Sequence, residues 1–230
     1  MPHIKFIDLG IKDYKETWDF QEELLQKVLE EKKNNPDNNF GGYLVFVEHP
    51  HVYTLGKSGE VNNLLISEPF LKQINATYHK TNRGGDITYH GPGQIVGYPI
   101  IDLEKFGIGV REYIERLEDA IIKSLNDYNI TASRMKEATG VWVEAGTPKA
   151  RKICAIGVRV SRFVTMHGFA LNINTDLNYF SHINPCGFQD RGVTSVQKEL
   201  GAHQDFEKAK EVVKDKLAET FGMVIGDRIS

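Results

Sequence analysis

Strand-like and helix-like segments alternate along this chain without the strict βα rhythm of a doubly wound sheet, and neighbouring segments often read as paired strands. Those two observations predict an α/β (α+β) fold, a mixed β-sheet with packed helices. Composition is the third: 40% hydrophobic residues in a chain of 230 suffice for a sizeable core, in one large domain or two small ones. Charged residues at 26% and aromatics at 10% exclude the disordered, fibrous and membrane-spanning classes. A net charge of -3 supplies neither a nucleic-acid footprint nor a pull toward an anionic membrane, so neither is expected as a partner. Two cysteines are too few for a disulfide framework, and no charged, apolar and small-residue leader precedes the first helix. A reducing cytoplasm is the expected compartment.

Ile4 to Leu9 reads as a strand. Tyr14, Trp18, Leu25, Val28 and Leu29 then recur at helical spacing until Lys32 and Lys33, where Asn34 to Asn39 forms a polar surface loop rather than a domain linker. The apolar run from Tyr43 to Glu48 is a buried strand. His49 and His51 follow around a proline; with no third ligand nearby they read as structural, and no metal is expected. Lys57 reads equally as a loop lysine or a phosphate contact. Ser67, Glu68 and Pro69 start a short helix, and Ala76 to Asn82 returns to a strand pattern.

From Arg83 to Ile100 the glycines Gly84, Gly85, Gly91, Gly93 and Gly97 loosen the backbone, while Ile87 to His90 and Gln94 to Ile101 read as strands that can pair with each other. The stretch matches neither a P-loop nor a dinucleotide fingerprint. It is either a tight hairpin or one wall of a pocket, with Arg83 and His90 favouring the wall. A second amphipathic helix spans Val110 to Tyr128, and the last runs from Asp205 to Phe221 with Gly222 as its stop.

Arg151 to Ser195 carries the chemistry. Lys152 heads a strand that runs beside the one containing His167, and Cys186 sits 34 residues later in a Pro-Cys-Gly turn. A thiol attacks as thiolate, and an amine can take its proton, so a Cys/Lys pair suits acyl transfer. A strand-start lysine is by default a solvated edge charge, but the run from Ile153 to Gly157 surrounds this one with apolar material that favours the neutral amine. His167 reads as a core histidine rather than a proton shuttle, Cys154 as a small buried hydrophobe. Cys186 in its turn is a nucleophile on which backbone amides can converge, or an ordinary structural thiol.

Arg83 to Ile100, Lys152 to Val160, His167 to Asn174, Ile183 to Gly187 and Val193 to Ser195 resemble, in order, the signature blocks of the octanoyltransferases of lipoate biosynthesis, across roughly residues 44 to 196. The resemblance implies a single biotin/lipoate protein ligase-like domain over residues 1–230. It also implies transfer of octanoyl from octanoyl-acyl carrier protein to a lysine of a lipoyl domain, with no cofactor. The acceptors would be the lipoyl domains of 2-oxoacid dehydrogenases and the glycine cleavage H protein. By the same resemblance Cys186 carries the acyl thioester and Lys152 tunes and shuttles its proton. Arg83, Gly84, Gly85, Asp86, Ile87, Thr88, Tyr89, His90, Ala155, Ile156, Gly157, Gly168, Phe169 and Ala170 would line the acyl-substrate site. The alternatives are an ATP-dependent lipoate or biotin ligase, which needs no nucleophilic cysteine, and a non-catalytic module that binds lipoyl domains or acyl carriers.

Overall fold

The structure, a computed structural model, describes residues 1–136, 138–184 and 192–229. In chain order the elements are β1 (His3–Ile11), α1 (Tyr14–Asn34), β2 (Phe40–Glu48), β3 (Val52–Leu55), α2 (Glu68–Gln73), β4 (Thr77–Lys80), β5 (Ile87–His90), β6 (Gln94–Ile101), α3 (Val110–Asn126), β7 (Ala132–Met135), β8 (Ala138–Val143), β9 (Arg151–Ser161), β10 (Val164–Asn172), β11 (Gly192–Val193), α4 (Val196–Leu200), α5 (Phe206–Phe221) and β12 (Val224–Ile229). The large sheet is ordered β12-β1-β2-β6-β10-β9-β8-β7, with β11 added parallel to the start of β9. β1 is parallel to both of its neighbours, and the pairs from β2 through to β7 are antiparallel. The mixed sheet with packed helices is therefore the architecture observed.

Period-two alternation assigns the two faces. β6 sends Ile95 and Ile101 to the face covered by α3 and α5, where they join Phe46, Leu117, Ile121, Phe169, Val213 and Leu217. It sends Val96, Tyr98 and Ile100 to the opposite face, under Leu24, Leu25 and Val28 of α1. Asp13 caps α1, its carboxylate accepting from the Lys15 amide at 2.8 Å and the Glu16 amide at 3.1 Å. A separate small sheet, β4-β3-β5, has its own core of Tyr53, Leu55, Ile87 and Tyr89.

One expectation is corrected. Ile87 to His90 and Gln94 to Ile101 do not pair: β5 lies antiparallel to β3, while both edges of β6 are occupied by β2 and β10. Every residue of β6 is buried, so it takes a central place in the large sheet and leaves no edge for β5. The last helix ends at Gly222 as expected, and the chain continues into β12, which pairs with β1 from His3↔Val224 onward. Met223 to Ile229 carries no alternation that would have announced a strand.

Candidate active site

A cavity of about 560 Å³ lies over the α1-covered face of the large sheet, walled by β5, β6, β8, β9 and β10, with Tyr14 of α1 and residues Leu177 to Asn184 contributing. Gly157 makes the wall possible. The loop from Arg83 to Asp86 crosses β9 there, the Gly84 amide donating to the Val158 carbonyl at 2.9 Å, and a Cβ on Gly157 would stand 2.9 Å from the Gly84 oxygen. Arg83 is 7% exposed. Its Nη2 donates to the Thr54 carbonyl at 2.6 Å and to the Thr54 hydroxyl at 2.9 Å, and Nη1 to the Gly84 carbonyl at 3.0 Å. Burial lowers its pKa from the ordinary arginine value.

Lys152 lies between two strands, paired with Trp142 of β8 on one side and Val193 of β11 on the other. Its Nζ is 4.7 Å from the centroid of the Trp142 ring. Gly140, at φ 119°, lets β8 approach so closely that a Cβ would meet the Cys154 carbonyl at 2.5 Å and Lys152 Cε at 3.5 Å. Burial holds the Lys152 pKa below the ordinary lysine value; nearby Cys154 and Glu118 oppose that, and the Arg83 charge adds to it. The amine is thus biased toward the neutral form. Cys154 is fully buried in the core beneath, where burial raises its thiol pKa far above the usual range.

A line of buried hydrogen bonds crosses the cavity wall, and backbone carbonyls orient its amides. Asn172 Nδ2 donates to the Thr194 carbonyl at 3.0 Å, and Gln94 Nε2 donates to Asn172 Oδ1 at 2.8 Å and the Tyr89 carbonyl at 3.2 Å. Gln94 Oε1 is left to accept from His90 Nδ1 at 2.9 Å, so His90 Nε2 faces the Thr54 hydroxyl at 3.3 Å as an acceptor. Burial pushes the His90 pKa well down and keeps the ring neutral. His49 is held similarly, Nδ1 donating to the Lys12 carbonyl at 2.8 Å and Nε2 meeting the Tyr98 hydroxyl at 2.9 Å; burial takes its pKa to about 4. His167 lies on β10 at φ 59° with Nε2 2.7 Å from Asn82 Oδ1, and burial lowers its pKa to about 3.

Comparisons with known proteins place these residues in a family. The model of the lipoyl protein ligase A/B catalytic domain matches residues 13–218. The octanoyltransferase of Flavobacterium psychrophilum is 57% identical over 222 residues, covering 95% of this chain and 94% of its own. That of Christiangramia forsetii is 55% identical over 221 residues, covering 93% and 92%. The chain belongs to the octanoyltransferase family. Its fold is also that of a bipartite lipoate protein ligase from Thermoplasma acidophilum, with a TM-score of 0.69 at 14% identity, covering 100% of this chain and 87% of that one.

Of the residues named from the family blocks, Arg83, Gly85, Asp86, Ile87, Thr88, His90, Lys152, Ala155, Ile156, Gly157, Gly168, Phe169 and Ala170 line the cavity. Gly84 and Tyr89 do not line it. Gly84 spends its backbone on β9, and Tyr89 alternates into the small-sheet core, where its hydroxyl meets His51 Nδ1 at 2.7 Å. Cys186 falls in 185–191 and lies outside the described residues; Asn184 and Gly192, on either side of that segment, both line the cavity. Tyr14 and Trp142, outside the signature blocks, also line it and were missed; Gln94, Tyr98 and Asn172 line it too and fall inside the blocks, though they were not among the site residues named. Of the two outside the blocks, Trp142 carried a usable signal, an aromatic on the strand immediately preceding the Lys152 strand.

Proposed function

We propose that this octanoyltransferase-family protein moves an octanoyl group from octanoyl-acyl carrier protein to a lysine of a lipoyl domain, through a thioester on Cys186. Lys152 is the observation that carries the mechanism. It is a lysine biased toward neutrality at the wall of a cavity roomy enough for a medium acyl chain, and the described residues flanking the Cys186 segment line the same cavity. In the first half-reaction the neutral Lys152 amine takes the Cys186 proton and the thiolate attacks the donor thioester. The new C–S bond forms, the carrier C–S bond breaks, and the carrier sulfur takes back the proton from Lys152. In the second, the acceptor amine attacks the acyl-enzyme carbonyl, Lys152 accepts the amine's proton and returns it to the departing Cys186 sulfur. The acyl group stays activated throughout, so ATP has no step. The acceptors are lipoyl domains of 2-oxoacid dehydrogenases and the glycine cleavage H protein, and the compartment is the cytoplasm. No helix among the described residues is long and apolar enough to cross a membrane.

The test is intact-protein mass spectrometry after incubation with octanoyl-acyl carrier protein without ATP. Wild type and Cys154→Ser gain one octanoyl group and pass it to a lipoyl domain, while Cys186→Ser gains none. Modification that requires ATP and free octanoate would establish the ligase chemistry instead, and absence of adduct or product under either condition would leave only a binding role.

A further inference from the structure

Thr194 is fully buried, and each of its polar groups is hydrogen-bonded, one of them directly to Lys152. Its amide donates to the Lys152 carbonyl at 2.9 Å, and its own carbonyl accepts from Asn172 Nδ2 at 3.0 Å. Its hydroxyl donates to Glu199 Oε1 on α4. That same carboxylate grips Arg151, the residue before Lys152, through Nε at 2.6 Å and through Nη2. Ser195 caps α4, its hydroxyl accepting from the Lys198 amide at 3.1 Å, which holds Glu199 on the turn facing Arg151. The start of β9 extends past the end of β10, whose last register partner on it is Cys154, so β11 and this clamp are what hold residues 151 and 152 on that edge.

We propose that Thr194, through Glu199 and Arg151, is a positioning residue that sets where Lys152 stands in the cavity. Thr194 touches no reacting atom in this scheme. The hydroxyl ties β11 to α4, the carboxylate ties α4 to Arg151, and the amide ties β11 to Lys152, closing a ring around one backbone position. A small displacement of a proton-transfer group is costly: a shift of about 1 Å is worth on the order of 100-fold in rate. The clamp is also charge-assisted, because Arg151 holds the Glu199 carboxyl below the usual carboxylate range.

This inference rests on the proton-transfer role proposed for Lys152, and the experiment separates the two. Single-turnover deacylation of the octanoyl-enzyme by a lipoyl domain is measured across pH for wild type, Thr194→Ser, Thr194→Val, Glu199→Ala and Lys152→Ala. Circular dichroism and thermal melts report folding. Thr194→Ser keeps the hydroxyl and is expected within about 3-fold of wild type. Thr194→Val keeps shape but not the hydrogen bond and is expected to deacylate roughly 10- to 100-fold more slowly, with the KM for the acceptor little changed and the basic limb of the pH profile displaced. Glu199→Ala is expected to match it, and decides the matter if the valine variant does not fold. Wild-type rates and an unmoved pH profile in folded Thr194→Val or Glu199→Ala, with Lys152→Ala slow, overturn the positioning role alone. A Lys152→Ala enzyme that deacylates at the wild-type rate overturns the role of Lys152 and this inference with it.

Discussion

At the scale of single residues, the question for Lys152 is charge or proton. Its Nζ sits over the Trp142 ring with burial working against the ammonium form, an arrangement suited to a group that must lose and regain a proton. Arginine keeps the charge but does not exchange protons near neutral pH. Lys152→Arg and Lys152→Ala are therefore both expected to slow deacylation by about 10²- to 10⁴-fold. An arginine variant with near wild-type single-turnover rates would reduce Lys152 to a fixed charge.

At the scale of elements, the cavity depends on how closely the Arg83 to Asp86 loop lies on β9. Gly157→Ala puts a methyl against the Gly84 carbonyl and 3.3 Å from both Cδ and Nη1 of Arg83, so the loop has to lift. The expected cost is about 1–3 kcal/mol of stability, the usual range for overpacking. Donor kcat/KM should fall by roughly 10-fold or more while acceptor KM changes little, since only the acyl wall moves. Steady-state kinetics with each substrate varied in turn, beside a urea melt, checks both halves; a stability loss with unchanged donor kinetics would make the crossing purely structural.

The whole molecule carries its histidines as a pH dependence. His49 and His167 are buried and neutral, with burial holding their pKa values at about 4 and about 3 against 6.5 when unfolded. Above pH 6.5 neither state binds the extra proton and their contribution is complete. As pH falls through 6.5 the unfolded chain takes up protons that the folded chain refuses, so stability declines until about pH 4 for His49 and about pH 3 for His167. Each ring costs about 1.4 kcal/mol per pH unit in that window. The urea midpoint should drop clearly between pH 7 and pH 5, with a shallower slope in His49→Gln; a midpoint constant over that range would show the rings are not buried neutral.

Periodicity alone determined α1, α3 and α5 and the β9–β10 pair, because an apolar stripe every three or four residues, or every second one, must face a core whatever lies across it. The order of the signature blocks pointed to the family, and the site residues named from it include part of the cavity wall. Tertiary structure decided the rest. β5 and β6 are consecutive strands with a glycine turn between them, yet they belong to different sheets because β2 and β10 already fill both edges of β6. Tyr14 reaches the cavity from α1, far from the signature blocks, and Trp142 from β8, just before one of them. The Arg151 and Glu199 side chains meet across 48 residues of sequence. No local spacing encodes such a contact: a hydrogen bond between distant segments exists only once the sheet has brought their backbones within reach.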